Sequence, residues 1–167
     1  MDTLKPNSTA TNFGNHSLTL WSLFLKKRGG NNANRFRDYE YIRDRDRHIP
    51  ADLIPAKMNE NEIYILRHED GSNIGWMRYG YFWDNIPFMN LLWIDEPFRG
   101  QGTGAQVVRF WEEQMKQKGF NMVMTSTQAD EGAQHFYRKL GYTDAGCLIL
   151  DSQPLEILLT RKLDLTI

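Results

Sequence analysis

The sequence has 167 residues, of which 41% are hydrophobic and 25% charged, so we expect one ordinary globular domain over residues 1–167. Twenty Lys and Arg against 21 Asp and Glu give a net charge of −1, which provides no global attraction to nucleic acid or to an anionic membrane. A single cysteine excludes an internal disulfide, and four scattered histidines show no metal-ligand spacing, so we expect no bound metal.

The cellular location is predicted from two missing signals. No apolar run reaches the length that spans a bilayer, and the first residues lack the charged and apolar regions of a signal peptide. We therefore expect a cytoplasmic protein. The sequence does not fix the oligomeric state, and a homodimer is compatible with it.

The N-terminal third has weak structural signals. Residues 1–15 are rich in Asn, Ser, Thr and Gly, which is typical of an irregular arm. The apolar segment 18–25, followed by basic residues and glycines, predicts a helix. Residues 35–47 interleave five arginines with acidic residues, and this alternation predicts a solvated helix face with salt bridges. The alternative is that some of these arginines bind an acidic ligand.

An antiparallel meander is predicted next. Residues 63–66 form a strand by their β-branched and aromatic content, 70–73 a hairpin turn, and 74–83 and 88–94 two further strands. We expect most of the aromatic residues here to pack under helices, whereas several at the open end of the sheet would form an apolar acceptor pocket. They are Trp76, Tyr79, Tyr81, Phe82, Trp83, Phe88 and Trp93.

A glycine-rich turn at residues 99–104 separates the apolar run 91–94 from the amphipathic segment 105–118. A strand that ends in such a turn and opens a helix places unpaired N–H groups and a positive dipole end at one point. That point suits a phosphate group. The spacing is neither the dinucleotide-binding fingerprint nor a P-loop, because no Gly-Lys-Ser/Thr follows.

The remaining segments complete a mixed sheet. Residues 121–125 predict a buried strand that is parallel to its predecessor, because the connection between the two is a helical crossover. A helix over 130–140 and a strand pair over 147–150 and 155–160 follow. Cys147 begins an apolar run, so we expect a buried structural thiol there.

Two of these stretches carry a resemblance to a known family. One is the loop Arg99-Gly100-Gln101-Gly102-Thr103-Gly104, and the other is the helix Ala133-Gln134-His135-Phe136-Tyr137-Arg138-Lys139-Leu140-Gly141-Tyr142. The first resembles the acetyl-CoA pyrophosphate loop of the GNAT N-acetyltransferases, and the second resembles their other recurrent motif. The resemblance covers residues 62–150. It implies an α/β (α+β) fold, with a mixed, mostly antiparallel sheet of six to seven strands flanked by helices.

The resemblance also implies roles for particular residues. The tyrosine at the position of Tyr137 contacts the coenzyme sulfur and acts as the acid, and a phenol with a pKa of about 10 can protonate a thiolate whose thiol has a pKa of about 8.5. The strand before the loop separates from the next one, and its backbone binds the pantetheine arm, here at Leu92, Trp93 and Ile94, near which we also expect the N–H groups that stabilise the oxyanion. The loop residues that would hold the phosphates are Arg99, Gly100, Gln101, Gly102, Thr103 and Gly104.

The general base is less well defined. Some family members carry a glutamate at the position of Thr125, which cannot ionise, and many have an asparagine where this chain has Asp130. We expect Glu96 to act as the base, since it follows the strand that binds pantetheine. The other candidates are Asp84, His135 and a water relayed by Thr125 or Ser126.

The sequence therefore predicts an acetyl-CoA-dependent N-acetyltransferase that acts on a primary amine of a small molecule or a peptide. The alternative is a sensor module that binds acyl-CoA with the same fold and has no turnover. A nucleotide-binding protein is a third interpretation, but no Mg²⁺-ligating Ser/Thr follows the loop at the required distance.

Overall fold

The structure is a computed structural model that describes residues 32–164, so the arm predicted at 1–15 and the helix predicted at 18–25 lie outside the described residues. The helices are α1 (Asn32–Arg43), α2 (Ile54–Asn59), α3 (Thr103–Gln117) and α4 (Ala133–Lys139). The strands are β1 (Ile63–Arg67), β2 (Asn73–Phe82), β3 (Ile86–Ile94), β4 (Met122–Gln128), β5 (Thr143–Leu148) and β6 (Glu156–Lys162). None of these helices is both long and apolar enough to cross a membrane.

The six strands form one sheet in the order β1-β2-β3-β4-β6-β5. All neighbours are antiparallel except β3 and β4, which are parallel and connected by α3. This is the mixed, mostly antiparallel sheet flanked by helices that the sequence predicted. The strand at 121–125 was expected to run parallel to its predecessor, and β4 confirms this.

Helices cover both faces of the sheet because adjacent strand residues point to opposite sides. On one face, α3 and α4 pack on a core that includes Met77, Trp111 and Leu159. On the other face, Ile42 and Ile54 from the α1–α2 region pack on Trp76. Each helix pair therefore holds a different face of the same strands in place.

The helix predicted to be solvated is only partly so. Arg43 forms an exposed ion pair with Asp44, as the charge alternation predicted. Asp38, however, is buried and accepts a hydrogen bond from Nη2 of Arg67 at 2.6 Å. The prediction was wrong for this side chain because its charge is neutralised by a strand residue 29 positions away, which the local pattern does not contain.

A second buried ion pair connects the segment after α1 to the sheet. The Asp46 side chain is fully buried, and its Oδ2 accepts hydrogen bonds from Arg78 Nε at 2.7 Å and from Trp76 Nε1 at 3.2 Å. The backbone N–H of His48 donates to the other oxygen at 3.0 Å. Asp46 was also expected to be solvated, so its burial is a further correction.

Cys147 is exposed, and the expectation of a buried thiol was wrong. It lies in β5, an edge strand whose six residues are all exposed. The apolar segment continues beyond the end of this strand into a hairpin, where Ile149 is 88% exposed. No described segment covers that hairpin, so its hydrophobic composition does not lead to burial.

The aromatic residues of the meander fall into separate groups. Trp76 and Tyr79 are buried on opposite faces of the sheet, as expected for core residues. Trp83 is exposed in the turn between β2 and β3, whereas Trp93 is partly exposed at the other end of β3 and stacks on Trp76. Trp93 alone of these lies at the end of β3 next to the glycine-rich loop.

Candidate functional site

The two parallel strands separate from each other. β3 and β4 are paired at only two positions, Phe88 with Met124 and Met89 with Thr125. Beyond Met89, β3 continues to Ile94 paired with β2 alone, while β4 stays paired with β6. The facing edges therefore form a wedge-shaped opening with backbone N–H and C=O groups available on its sides.

A β-bulge lies at the closed end of this wedge. The pairing between β2 and β3 shifts from Tyr79 with Met89 to Arg78 with Leu91, so Asn90 is the extra residue. Bulges bend a strand and redirect its backbone groups. Sequence reasoning missed this position, although Asn90 is the one hydrogen-bonding polar side chain other than Trp93 in β3 and could have marked it.

Tyr137 also lies at the closed end. It is 7% exposed, and its hydroxyl is 3.7 Å from Sδ of Met89. Burial raises the pKa of this hydroxyl above its ordinary value, with a smaller opposing effect from the hydroxyl of Thr125. Tyr137 is therefore protonated at neutral pH.

Thr125 connects the two sides of the wedge. Its Oγ1 donates a hydrogen bond to the carbonyl of Met89 at 3.0 Å, and the residue is buried. This bond fixes the last paired position of β3 and β4 beside Tyr137. The side chain is therefore held as a structural donor, and any action as a relay would need a change of partner.

The glycine-rich loop lies at the open end of the wedge. Gly100 and Gly102 have φ values of +73° and +82°, a backbone region that side chains disfavour. Gly102 is the N-cap of α3 and makes no side-chain cap bond, so the first N–H groups of the helix have no capping side chain. At Gly104, a Cβ would approach Phe136 to 3.3 Å. Gly104 therefore lets the start of α3 pack closely on Phe136, while Gly100 and Gly102 leave the loop backbone uncovered by side chains of their own.

Arg99 lies beside the same opening. Its Nε donates to the carbonyl of Ile94 at 2.6 Å, and its guanidinium lies 4.7 Å from the ring centroid of Trp93. Within residues 32–164, neither terminal Nη nitrogen donates to a protein acceptor. The predicted residues 92–94, the loop and Tyr137 thus surround one opening.

The side chain of the predicted base makes no hydrogen bond or ion pair with these residues in the described part of the chain. Glu96 is exposed in the short turn after β3, and its backbone carbonyl accepts from the N–H of Arg99. Asp84 is exposed in the β2–β3 turn, at the far end of β3 from the loop, and His135 is exposed on α4. Asp130 is exposed as well.

Glu131 is a carboxylate that sequence reasoning did not consider. Its Oε2 accepts a hydrogen bond from Thr127 Oγ1 at 3.0 Å, at the end of β4. Its negative charge contributes to the raised pKa of Tyr137. The residue lies before α4 in an ordinary turn, so no local pattern distinguishes it.

No cluster of three or more His, Cys, Asp or Glu side chains that could hold a metal occurs among residues 32–164. The groups at the opening include one buried phenol, backbone donors and one guanidinium. Such a set can bind an extended ligand with an anionic end and can donate a proton at its inner end.

Comparison with protein families gives one match. The family model described as the Acetyltransferase (GNAT) family matches residues 30–142, which is more than half of the chain. The matched range includes β3, β4, the glycine-rich loop and Tyr137. No curated protein matches the sequence.

Solved structures share the fold at low identity. An Ard1 protein of Thermoplasma volcanium has 18% identity and a TM-score of 0.63 over 75% of this chain and 91% of that one. The NatC complex bound to a Gag peptide and CoA has 17% identity and a TM-score of 0.64 over 80% and 93%. A Bacillus anthracis protein provisionally named a streptothricin acetyltransferase, solved with acetyl coenzyme A, has 22% identity and a TM-score of 0.56; the alignment covers 60% of this chain and 61% of that one.

Proposed function

Because the chain belongs to the GNAT acetyltransferase family, we propose that it transfers the acetyl group of acetyl-CoA to a primary amine of a small molecule or a peptide. The amine attacks the thioester directly, so that an N–C bond forms while the C–S bond breaks. The observation that carries this proposal is the wedge between β3 and β4, with Tyr137 at its closed end and the glycine-rich loop at its open end.

Binding of the coenzyme would use backbone groups more than side chains. The free edge of β3 at Leu92, Trp93 and Ile94 offers N–H and C=O groups to the amide-containing arm of the coenzyme. The pyrophosphate would lie over the N–H groups of residues 100–104, where glycine conformations allow close approach and the α3 dipole is favourable. Arg99 adds a positive charge with its terminal nitrogens free in the described chain.

The leaving thiolate needs a proton, and we propose that Tyr137 supplies it. Its raised pKa keeps the hydroxyl protonated, and the thiol that forms has an ordinary pKa of about 8.5, well below that of a phenol. Full transfer of the proton from the phenol to a free thiolate is uphill by these pKa values, so the phenol gives up its proton only while negative charge develops on the sulfur beside it, and solvent then reprotonates the phenolate.

The negative charge on the carbonyl oxygen needs a hydrogen-bond donor as the tetrahedral species forms. The bulge at Asn90 supports such a role, since it frees backbone groups beside the closed end of the wedge. Backbone donors there are fixed before the reaction and require no rearrangement. Sequence reasoning placed the donors slightly later, at residues 92–94.

The amine must be neutral to attack. We retain Glu96 as the proposed base, acting through water because its carboxylate is exposed and makes no contact with Tyr137 in the described chain. A water path along Thr125 or Ser126 is the alternative. An acceptor amine with a low pKa would need neither.

Two acceptor classes are compatible with the proposal. One structural neighbour was solved with a Gag peptide, and another is named for streptothricin, a small molecule. The partly exposed ring of Trp93, which stacks on Trp76, supports an acceptor with some apolar surface. The net charge of only −1 disfavours a highly cationic acceptor.

The alternative function is an acyl-CoA sensor without turnover. The feature that favours it is the lack of a contact between any described carboxylate side chain and the Tyr137 hydroxyl. Retention of a buried, protonated tyrosine at the closed end of the wedge favours the enzyme, because a sensor has no leaving thiolate to protonate.

A titration of the protein with acetyl-CoA, followed by thiol release across amines, amino acids and peptides, tests the proposal. We expect saturable binding and release that depends on one class of acceptor. Binding without release over a broad acceptor set would support the sensor. A failure to bind acetyl-CoA would contradict both functions and the assignment of the wedge.

A further inference from the structure

We infer that Trp93 and Asp95 are positioning residues that hold the guanidinium of Arg99 at the open end of the wedge, ready for the coenzyme phosphates. The inference rests on the proposed function, because it assumes that Arg99 binds the pyrophosphate or 3′-phosphate of CoA. It adds side chains that the family motif does not contain and that lie before the glycine-rich loop.

The guanidinium of Arg99 contacts the ring of Trp93. The guanidinium carbon lies 4.7 Å from the ring centroid, within the range of a cation–π contact. The Nε–H donates to the carbonyl of Ile94, which fixes the side chain at one more point. Together these contacts occupy one face and one N–H of the guanidinium. The terminal nitrogens, which bind phosphate best, have no protein acceptor in the described chain.

The Trp93 ring is itself held by a hydrogen bond and a stacking contact. Its Nε1 donates to Asp95 Oδ1 at 3.0 Å, and the ring stacks on Trp76 with centroids 5.9 Å apart and planes inclined by 30°. Trp76 is buried and its own Nε1 is bound to Asp46. The Trp93 ring therefore lies between a fixed ring and the guanidinium.

The Asp95 carboxylate is in turn held by a residue of α1. Its Oδ2 accepts a hydrogen bond from the Tyr41 hydroxyl at 2.8 Å, so each carboxylate oxygen has one neutral donor. Burial and the neighbouring Asp95 both raise the pKa of Tyr41, which keeps the hydroxyl a donor. The guanidinium of Arg45 lies 4.3 Å from the Tyr41 ring.

These contacts form a continuous series from α1 to the glycine-rich loop. An arginine loses several side-chain torsions when it orders on a ligand, and this loss weakens binding. A guanidinium that is already held by a ring and a carbonyl has less freedom to lose. Trp93, Asp95 and Tyr41 should therefore affect CoA affinity only through Arg99.

The test is a double-mutant cycle read by calorimetric titration with CoA, which needs no acceptor. We expect Arg99→Ala to weaken CoA binding about tenfold, since it removes a charged donor. Trp93→Leu should weaken binding about fivefold in the natural background. In the Arg99→Ala background, the same change should cause no further loss.

Two more variants keep the test valid if Trp93→Leu unfolds the protein. Trp93→Phe keeps a ring under the guanidinium and should retain most of the affinity, and Tyr41→Phe should weaken binding about twofold through Asp95 alone. In the Arg99→Ala background, neither Trp93→Phe nor Tyr41→Phe should weaken CoA binding further. Thermal unfolding of each variant identifies a loss of fold.

The outcomes separate this inference from the proposed function. If the natural protein does not bind CoA, the proposed function is wrong. If it binds CoA but Arg99→Ala has no effect, or if the Trp93 and Arg99 losses multiply in the double variant, the positioning role is wrong while the coenzyme site stands.

Discussion

The Tyr137 hydroxyl lies 3.7 Å from Sδ of Met89, the last residue of β3 that is paired with β4. A side chain from the last helix and a strand residue 48 positions earlier thus meet where the two strands begin to separate. The phenol is buried against a thioether and a hydroxyl, with no charged side chain bonded to it in the described chain. An acid in such surroundings stays protonated at neutral pH and donates only as negative charge develops beside it.

The change Tyr137→Phe should lower turnover about 100-fold, because the leaving thiolate then takes its proton from water. The affinity for CoA should change by less than about twofold, since the ring and its packing remain. Steady-state thiol release with an active acceptor and calorimetric titration with CoA measure the two quantities.

A neighbouring tyrosine supplies the matched control. The centroid of the Tyr142 ring is 5.5 Å from that of Tyr137, and Tyr142 is also buried. Its hydroxyl, however, lies near Glu112. Tyr142→Phe should leave turnover within about threefold of the natural protein. Equal losses in both variants would indicate a packing effect and remove Tyr137 from the role of acid.

The change Gly102→Glu should weaken CoA binding by more than about tenfold. It places a negative side chain at the N-cap of α3, where the pyrophosphate is proposed to lie, and it also forces a side chain into a positive φ. Gly119 has the same kind of backbone, with a φ of +89° and open space around it, just beyond the opposite end of α3. Gly119→Glu therefore imposes a comparable backbone penalty and should leave CoA affinity unchanged. Retained affinity in a folded Gly102→Glu variant would contradict the loop assignment.

The parts of the fold that local patterns control were predictable. A glycine-rich turn before an amphipathic segment predicted α3, and β-branched and aromatic content predicted strands in the meander. The bulge at Asn90 and the separation of β3 from β4 depend on pairing between distant segments, which one sequence does not contain. The partners of Asp38 and Asp46 were missed for the same reason, as each lies on a strand far along the chain.

Cys147 should react with a thiol reagent in the native protein. It is exposed on an edge strand and is the single cysteine, so we expect one thiol per chain to be labelled without denaturant. The Cys147→Ser variant should show none, and it also removes the background from thiol-release assays. Labelling that requires denaturant would mean that another segment or a second copy covers β5.

Asp46→Asn should destabilise the fold by about 3 kcal/mol at pH 7, because it leaves the buried guanidinium of Arg78 without its counter-charge. Burial alone would raise the pKa of Asp46, but hydrogen bonds from Arg78 and His48 lower it below its ordinary value. A carboxyl with a lowered pKa in the folded state adds stability above its unfolded pKa of about 3.9, and this stability is lost as the pH falls through the folded pKa. The difference in free energy of unfolding between the natural protein and the Asp46→Asn variant should therefore become smaller below about pH 4. Urea unfolding at a series of pH values measures the free energy of unfolding of both proteins. As a control, the exposed Asp44→Asn variant should differ from the natural protein by less than about 0.5 kcal/mol. A difference that does not vary with pH would contradict the ionic origin of this contribution.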